Sequence, residues 1–186
     1  MPRPKQIDLN RILEVSTALA DAHGFEAVTL ASVAAQLGIR IPSLYNHISG
    51  LPGLHDHLRL WALRGLAEAL RRAAVGKSGA AAILSAAQAY RAFAHAHPGL
   101  YPATLRAPTP DEPELVAVSQ DILDTLLRIL EPYALSQEDS LHVIRGLRSL
   151  LHGFVDLEIA GGFGMALDRD ESFRRLLQAF IAGLPS

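Results

Sequence analysis

Residues 29–50 read TLASVAAQLGIRIPSLYNHISG. Apolar residues recur here at helical spacing, a glycine follows, and a short segment then carries Pro, Ser, Tyr, Asn and His. Thr29 is placed to cap a short helix ending near Gln36, and Gly38 makes the turn. A third short helix is expected over Ile41 to Ile48. Val33, Ala34 and Leu37 would face a small core, with Leu44 and Ile48 joining them. That leaves Arg40, Pro42, Ser43, Tyr45, Asn46 and His47 facing outward. Two short helices joined by a tight turn fit a helix-turn-helix unit, whose second helix enters the DNA major groove. Pro42 suits a first helical turn. Tyr45, His47 and Thr29 have donors suited to phosphate oxygens. The same spacing also fits an ordinary helical corner with a solvated face.

Upstream, Asp8 can cap a first helix with Ile12, Val15, Leu19 and Ala22 at core spacing, ended by Gly24. Downstream, "SGLPG" at 49–53 interrupts the chain, and a longer helix runs to about Ala74. After "GKSG" a fifth helix should reach His97. "HPGLYPATL" reads as a short irregular helix, and "APTPDEP" at 107–113 as a proline-rich loop. A helix bearing Leu115, Val118, Ile122, Leu126 and Ile129 follows. Ser136 with Asp139 marks the next start. That helix should end near "GGFG" at 161–164, and Asp168 with Glu171 opens a last one running to about Gly183. The count is about nine helices, and no convincing period-two alternation suggests a strand. The fold expected is all-α, with a small helix-turn-helix DNA-reading domain over residues 1–50 and a larger helical domain over 51–186.

The 186 residues are 49% apolar, enough for a sizeable core, and their formal charge is −2. A strongly basic coat for nucleic acid is therefore excluded, and DNA binding must come from a local surface. The first fifty residues set Arg3, Lys5, Arg11 and Arg40 against Asp8, Glu14, Asp21 and Glu26. The "PRPK" tail at 2–5 is expected to supply further phosphate contacts. No cysteine is present, so disulfides and thiolate metal sites are ruled out. With no secretory h-region and no apolar run long enough to cross a bilayer, a cytoplasmic chain without membrane contact is expected.

The 29–50 stretch resembles the TetR family of bacterial one-component regulators through Thr29, Val33, Ala34, Gly38, Ile39, Ser43, Leu44, Tyr45 and His47. "RILEVSTALADAHGF" at 11–25 is similar to that family's first helix. The family usually has an aromatic where Ile48 stands and a phosphate-holding lysine where Leu51 stands. The segment 145–177, "RGLRSLLHGFVDLEIAGGFGMALDRDESFRRLL", is similar to one C-terminal domain type of the same regulators. Arg145, His152, Gly153, Phe154, Glu158, Gly161, Gly162, Phe163, Gly164, Asp168 and Phe173 are among the residues that carry this match. Relatives of this type often have a tryptophan where Arg148 stands.

This resemblance implies a homodimer that binds a palindromic double-stranded DNA operator and releases it, usually as a repressor, when a small-molecule effector binds. It implies a four-helix dimer interface built from the last two helices. The apolar residues offered there are Leu147, Leu151, Phe154, Phe173, Leu177, Phe180 and Ile181, though a large monomeric core would use them equally well. The effector pocket is expected among Trp61, Tyr90, Phe93, Tyr101 and Leu126, with Arg106, His152 and Asp156 as its polar groups. Aromatics at helical spacing also serve as plain core.

Eight histidines raise a metal or enzyme reading. In "HDH" (55–57) and "HAH" (95–97) the paired rings point about 200° apart on a helix and do not converge on one ion. His142 and His152 stand about 15 Å apart by helical rise. HExxH, nucleophile-elbow and phosphate-loop motifs are absent from the sequence. No catalytic residue, metal or cofactor is expected. A helical small-molecule binder without DNA function is the remaining alternative.

Overall fold

The computed structural model describes residues 7–185. The tail at 2–5 and its expected phosphate contacts lie outside them. Eight α-helices are present among the described residues: α1 (Leu9–His23), α2 (Leu30–Leu37), α3 (Ile41–Leu44), α4 (Gly50–Ala74), α5 (Gly79–Ala96), α6 (Pro113–Leu130), α7 (Gln137–Ile159) and α8 (Arg169–Ala182). Three short 3-10 turns, at Phe25–Ala27, Tyr101–Thr104 and Glu131–Tyr133, accompany them. The fold is all-α, as expected, with eight helices where about nine were counted.

Local chemistry explains most boundaries. Asp8 accepts the Arg11 amide at 2.8 Å and opens α1. Thr29 accepts the Ser32 amide at 3.1 Å while Ser32 Oγ accepts the Thr29 amide at 2.9 Å, a reciprocal cap that opens α2. Ser136 and Asp168 likewise accept first-turn amides at the starts of α7 and α8. At the end of α2, Gly38 takes φ +68°, the Gly38 amide reaches Ala35 O and the Ile39 amide reaches Ala34 O. This paired closure needs a left-handed residue, which glycine supplies without strain. Gly161 closes α7 in the same way: its amide bonds Glu158 O, and the Gly162 amide bonds Leu157 O at 2.7 Å.

One boundary differs from expectation. α3 ends at Leu44, not Ile48. Its bonds tighten to three-residue turns, Ser43 amide to Arg40 O and His47 amide to Leu44 O, each at 2.9 Å. Leu44 and Ile48 are both buried nonetheless, so the apolar spacing is met without a continuous helix.

The described chain divides into two compact units. The first holds the segment up to Gly65 together with Ala96–Val116; the second holds Leu66–His95 together with the chain from Ala117 onward. In the first, Ile12, Val28, Val33, Leu44, Leu54 and Leu58 are buried almost completely. Each contributes about 1.5–3 kcal/mol of transfer free energy. Gly99 lies hard against α1: a Cβ there would stand 1.7 Å from the Ala20 carbonyl oxygen, and the Gly99 amide donates to Asp21. In the second, Ala82, Ile83, Ala86 and Ala87 of α5 are buried, as are Leu147, Leu151 and Val155 of α7 and Phe173 and Leu177 of α8.

Candidate nucleic-acid interface and effector residues

α2 packs against both α1 and α3. The Gly38 closure turns the chain sharply between α2 and α3. Leu44 then points inward with no exposed surface, and Ile48 follows it. The remaining residues of this segment are left outside: Arg40, Pro42, Ser43, Tyr45, Asn46 and His47 are all exposed. Thr29 is exposed at the start of α2. Pro42 occupies the first turn of α3, where its missing N–H loses no helical bond. The Tyr45 ring, 59% exposed, stands beside Gly50 at the start of α4. All seven residues expected at DNA thus belong to the one compact unit. Ile41, 38% exposed on the leading turn of α3, escaped the sequence reading, because an apolar residue there reads as core.

α4 is tied to this unit by a residue first considered for metal binding. His55 Nε2 lies 3.3 Å from Val28 O, immediately before the Thr29 cap, and its ring packs tilted against Phe25 with ring centres 4.7 Å apart. His97 meets Asp21 of α1 at 3.0 Å and sets the Trp61 ring edge-on at 5.2 Å. Among the described residues, no group of three or more His, Asp or Glu side chains is arranged to hold a metal.

The expected effector residues are divided. Trp61, Tyr101 and Arg106 belong to the first unit; Tyr90, Phe93, Leu126, His152 and Asp156 belong to the second. Tyr90, Phe93 and Tyr101 are buried, Trp61, Leu126 and His152 half-buried, and Asp156 exposed. An open groove of about 290 Å³ lies along α1, lined among others by Arg11, Glu14, Leu19, His23 and Gln36; none of the expected effector residues lines it. Arg106 pairs with Glu112, and this pair leads to a residue the sequence did not single out. Arg59 of α4, its side chain only 9% exposed, donates Nη1 to Glu112 at 2.5 Å. The Thr109 amide, with Arg59 and the Thr109 hydroxyl, holds the Glu112 carboxyl down to about 2.

A second charged cluster sits in the other unit. Arg91 of α5 grips Glu158 of α7 through Nε at 2.7 Å and Nη2 at 2.6 Å, and reaches Asp170 of α8 through Nη1 at 2.8 Å. Its guanidinium lies 4.9 Å from the Phe173 ring centre and 5.7 Å from that of Phe154. His95 adds a contact to Glu158 at 2.9 Å. Arg91 above all, then His95, holds the Glu158 carboxyl down to about 2.

Of the residues offered for a dimer interface, Leu147, Leu151, Phe154, Phe173 and Leu177 are buried within their own chain. Phe180 and Ile181 are partly exposed. Phe180 packs where Gly146 has no side chain: a Cβ there would stand 3.5 Å from the ring. Leu157 and Ile159, 49% and 41% exposed, are further apolar surface at the end of α7.

Comparison with known proteins adds to this geometry. Residues 83–180 match the family described as "Tetracyclin repressor-like, C-terminal domain". The chain is 33% identical over 183 residues to the HTH-type transcriptional regulator Rv0681 of Mycobacterium tuberculosis, covering 98% of this chain and 84% of that one. It is 36% identical over 173 residues to the HTH-type transcriptional regulator YobS of Bacillus subtilis, covering 93% and 90%. The fold is similar to the crystal structure of the TetR family transcriptional regulator PfmR from Thermus thermophilus, with a TM-score of 0.70 at 20% identity, covering 97% and 99% of the two chains.

Proposed function

Because the chain belongs to the TetR family of transcriptional regulators, we propose that it binds a palindromic operator as a homodimer and leaves it when a small molecule binds, acting as a repressor. The observation that carries the DNA reading is the exposed face of α2 and α3. A glycine-closed turn sets a short helix and the tight turn after it, whose inward residues are Leu44 and Ile48, and whose outward residues are Arg40, Ile41, Pro42, Ser43, Tyr45, Asn46 and His47. Arg40 and Asn46 are suited to base edges, and Ile41 to a thymine methyl. Tyr45, His47 and Thr29 are suited to phosphates.

We assign DNA reading to residues 1–50 and effector binding and dimerisation to 51–186. The twin-facing surface would then use Phe180, Ile181 and Leu157, while the buried residues of α7 and α8 hold that surface rigid. A twofold dimer places two copies of α3 on half-sites about one helical turn apart. Effector binding would favour a dimer shape that no longer matches this spacing, with α4 as the connecting element. No helix among the described residues is long and apolar enough to cross a membrane, which suits action on cytoplasmic DNA.

The test is selection of genomic DNA fragments by the purified protein at low salt. Wild type should enrich a palindrome. Tyr45→Ala should lower operator affinity about tenfold, the equivalent of about 1.4 kcal/mol, without lowering Tm. Unchanged affinity in this variant would remove Tyr45 from the interface. Absence of any enriched sequence would favour a helical small-molecule binder.

A further inference from the structure

We propose that Arg59 is a carboxylate anchor that takes the acid group of a small organic acid; this rests on the reading of the protein as ligand-responsive and names the class of ligand. Arg59 is buried, yet Nε and Nη2 have no hydrogen-bond acceptor among the described residues, and neither nitrogen reaches solvent. Buried donors left unpaired are costly, and a charged group more so. The neighbouring carboxylate cannot satisfy them. Glu112 Oε1 already accepts from Arg59 Nη1 and from Arg106, and Oε2 accepts from the Thr109 amide at 2.8 Å and hydroxyl at 3.1 Å.

The geometry of the unpaired edge indicates what fits. Nε–H and Nη2–H lie side by side on the guanidinium and point in the same direction, matching the two oxygens of a carboxylate. The molecule contains this pairing in completed form: the Nε and Nη2 of Arg91 hold Glu158 at 2.7 and 2.6 Å, and those of Arg174 hold Glu171 at 2.7 and 2.6 Å. Arg59 and Arg106 share the carboxylate of Glu112, and Asp111 stands close enough to Arg106 to balance its charge, so the shape of the free edge and not a net charge selects the carboxylate. The nearby Arg64 and Glu114 pair with each other and cancel. Arg59 is also one turn from His55, which touches Val28 O beside the Thr29 cap. A ligand on Arg59 would therefore act on a helix already joined to the DNA-reading segment.

Sodium formate and sodium acetate are the probes, because their size avoids any dependence on the body of the natural acid. The readout is the arginine Nε–H cross-peaks of the ¹⁵N-labelled wild-type chain, with the Arg59 peak assigned by its loss in Arg59→Lys. Both carboxylates should shift the Arg59 peak saturably, while sodium chloride at equal ionic strength should not. The Arg91 peak, already paired, should stay still. Arg59→Lys, which keeps the charge and loses the paired edge, should bind about tenfold more weakly by its remaining shifted amides. Should Arg59→Lys fail to fold, Arg59→Met provides the assignment, and the wild-type titration decides alone.

An Arg59 peak that ignores both carboxylates, or follows chloride equally, overturns the proposal. No DNA is present in this experiment, so its failure leaves the operator reading standing. Conversely, an operator failure leaves a positive Arg59 titration intact.

Discussion

Arg91 and Arg59 are both nearly buried arginines on helices, and they are completed differently. Every arm of Arg91 is engaged: one edge by Glu158, the remaining nitrogen by Asp170, and its face by Phe154 and Phe173. Arg59 spends one nitrogen on Glu112 and keeps an unpaired edge. A fully satisfied buried arginine holds helices together. A partly satisfied one keeps binding capacity in reserve, and natural proteins tolerate that arrangement mainly where a site has a use.

The largest expected effect breaks the completed cluster. Arg91→Met leaves Glu158 buried without its cation and should cost roughly 3–5 kcal/mol in urea unfolding. A loss near zero would show that the cluster is not what fastens α5 to α7 and α8.

A smaller effect comes from pH. The Glu158 carboxyl titrates at about 2 in the folded chain against 4.5 as its ordinary value. Its contribution is therefore fully present above about 4.5 and is lost as pH falls toward about 2. The urea midpoint of the wild type should drop across that window. Glu158→Gln should flatten part of the drop, leaving the share of Glu112 and Glu171, which are also held down to about 2. An unchanged slope in this variant would contradict the strong Arg91–Glu158 pairing.

The smallest effect sharpens the contrast. Arg59→Met removes one ion pair and also two unpaired buried donors, while Glu112 keeps Arg106 and Thr109. Stability should stay within about 1 kcal/mol of wild type. If this variant loses as much as Arg91→Met, the distinction between the two arginines fails.

Much of the fold could be read from residues three to five apart. The caps at Asp8, Thr29, Ser136 and Asp168 and the closures at Gly24 and Gly38 form where the sequence places them. The outward face of α2 and α3 followed from the same spacing. Spacing alone left open those patterns that have two solutions. Leu44 and Ile48 fit either a continuous helix or a helix followed by a tight turn, and the turn is adopted. Leu147, Leu151 and Phe173 fit either a chain's own core or a twin's surface, and they lie in the core. Periodicity records that a face is apolar, not what covers it.

The sequence by itself determined that this protein is all-helical, where most helices start and stop, and which short segment presents polar groups outward. Those features depend on bonds between residues close along the chain. Only the tertiary structure decided the partners of the arginines. Arg59 meets Glu112 across 53 residues and Arg91 meets Glu158 across 67. Whether the remaining guanidinium nitrogens find acceptors depends on how helices pack, and no local pattern encodes that.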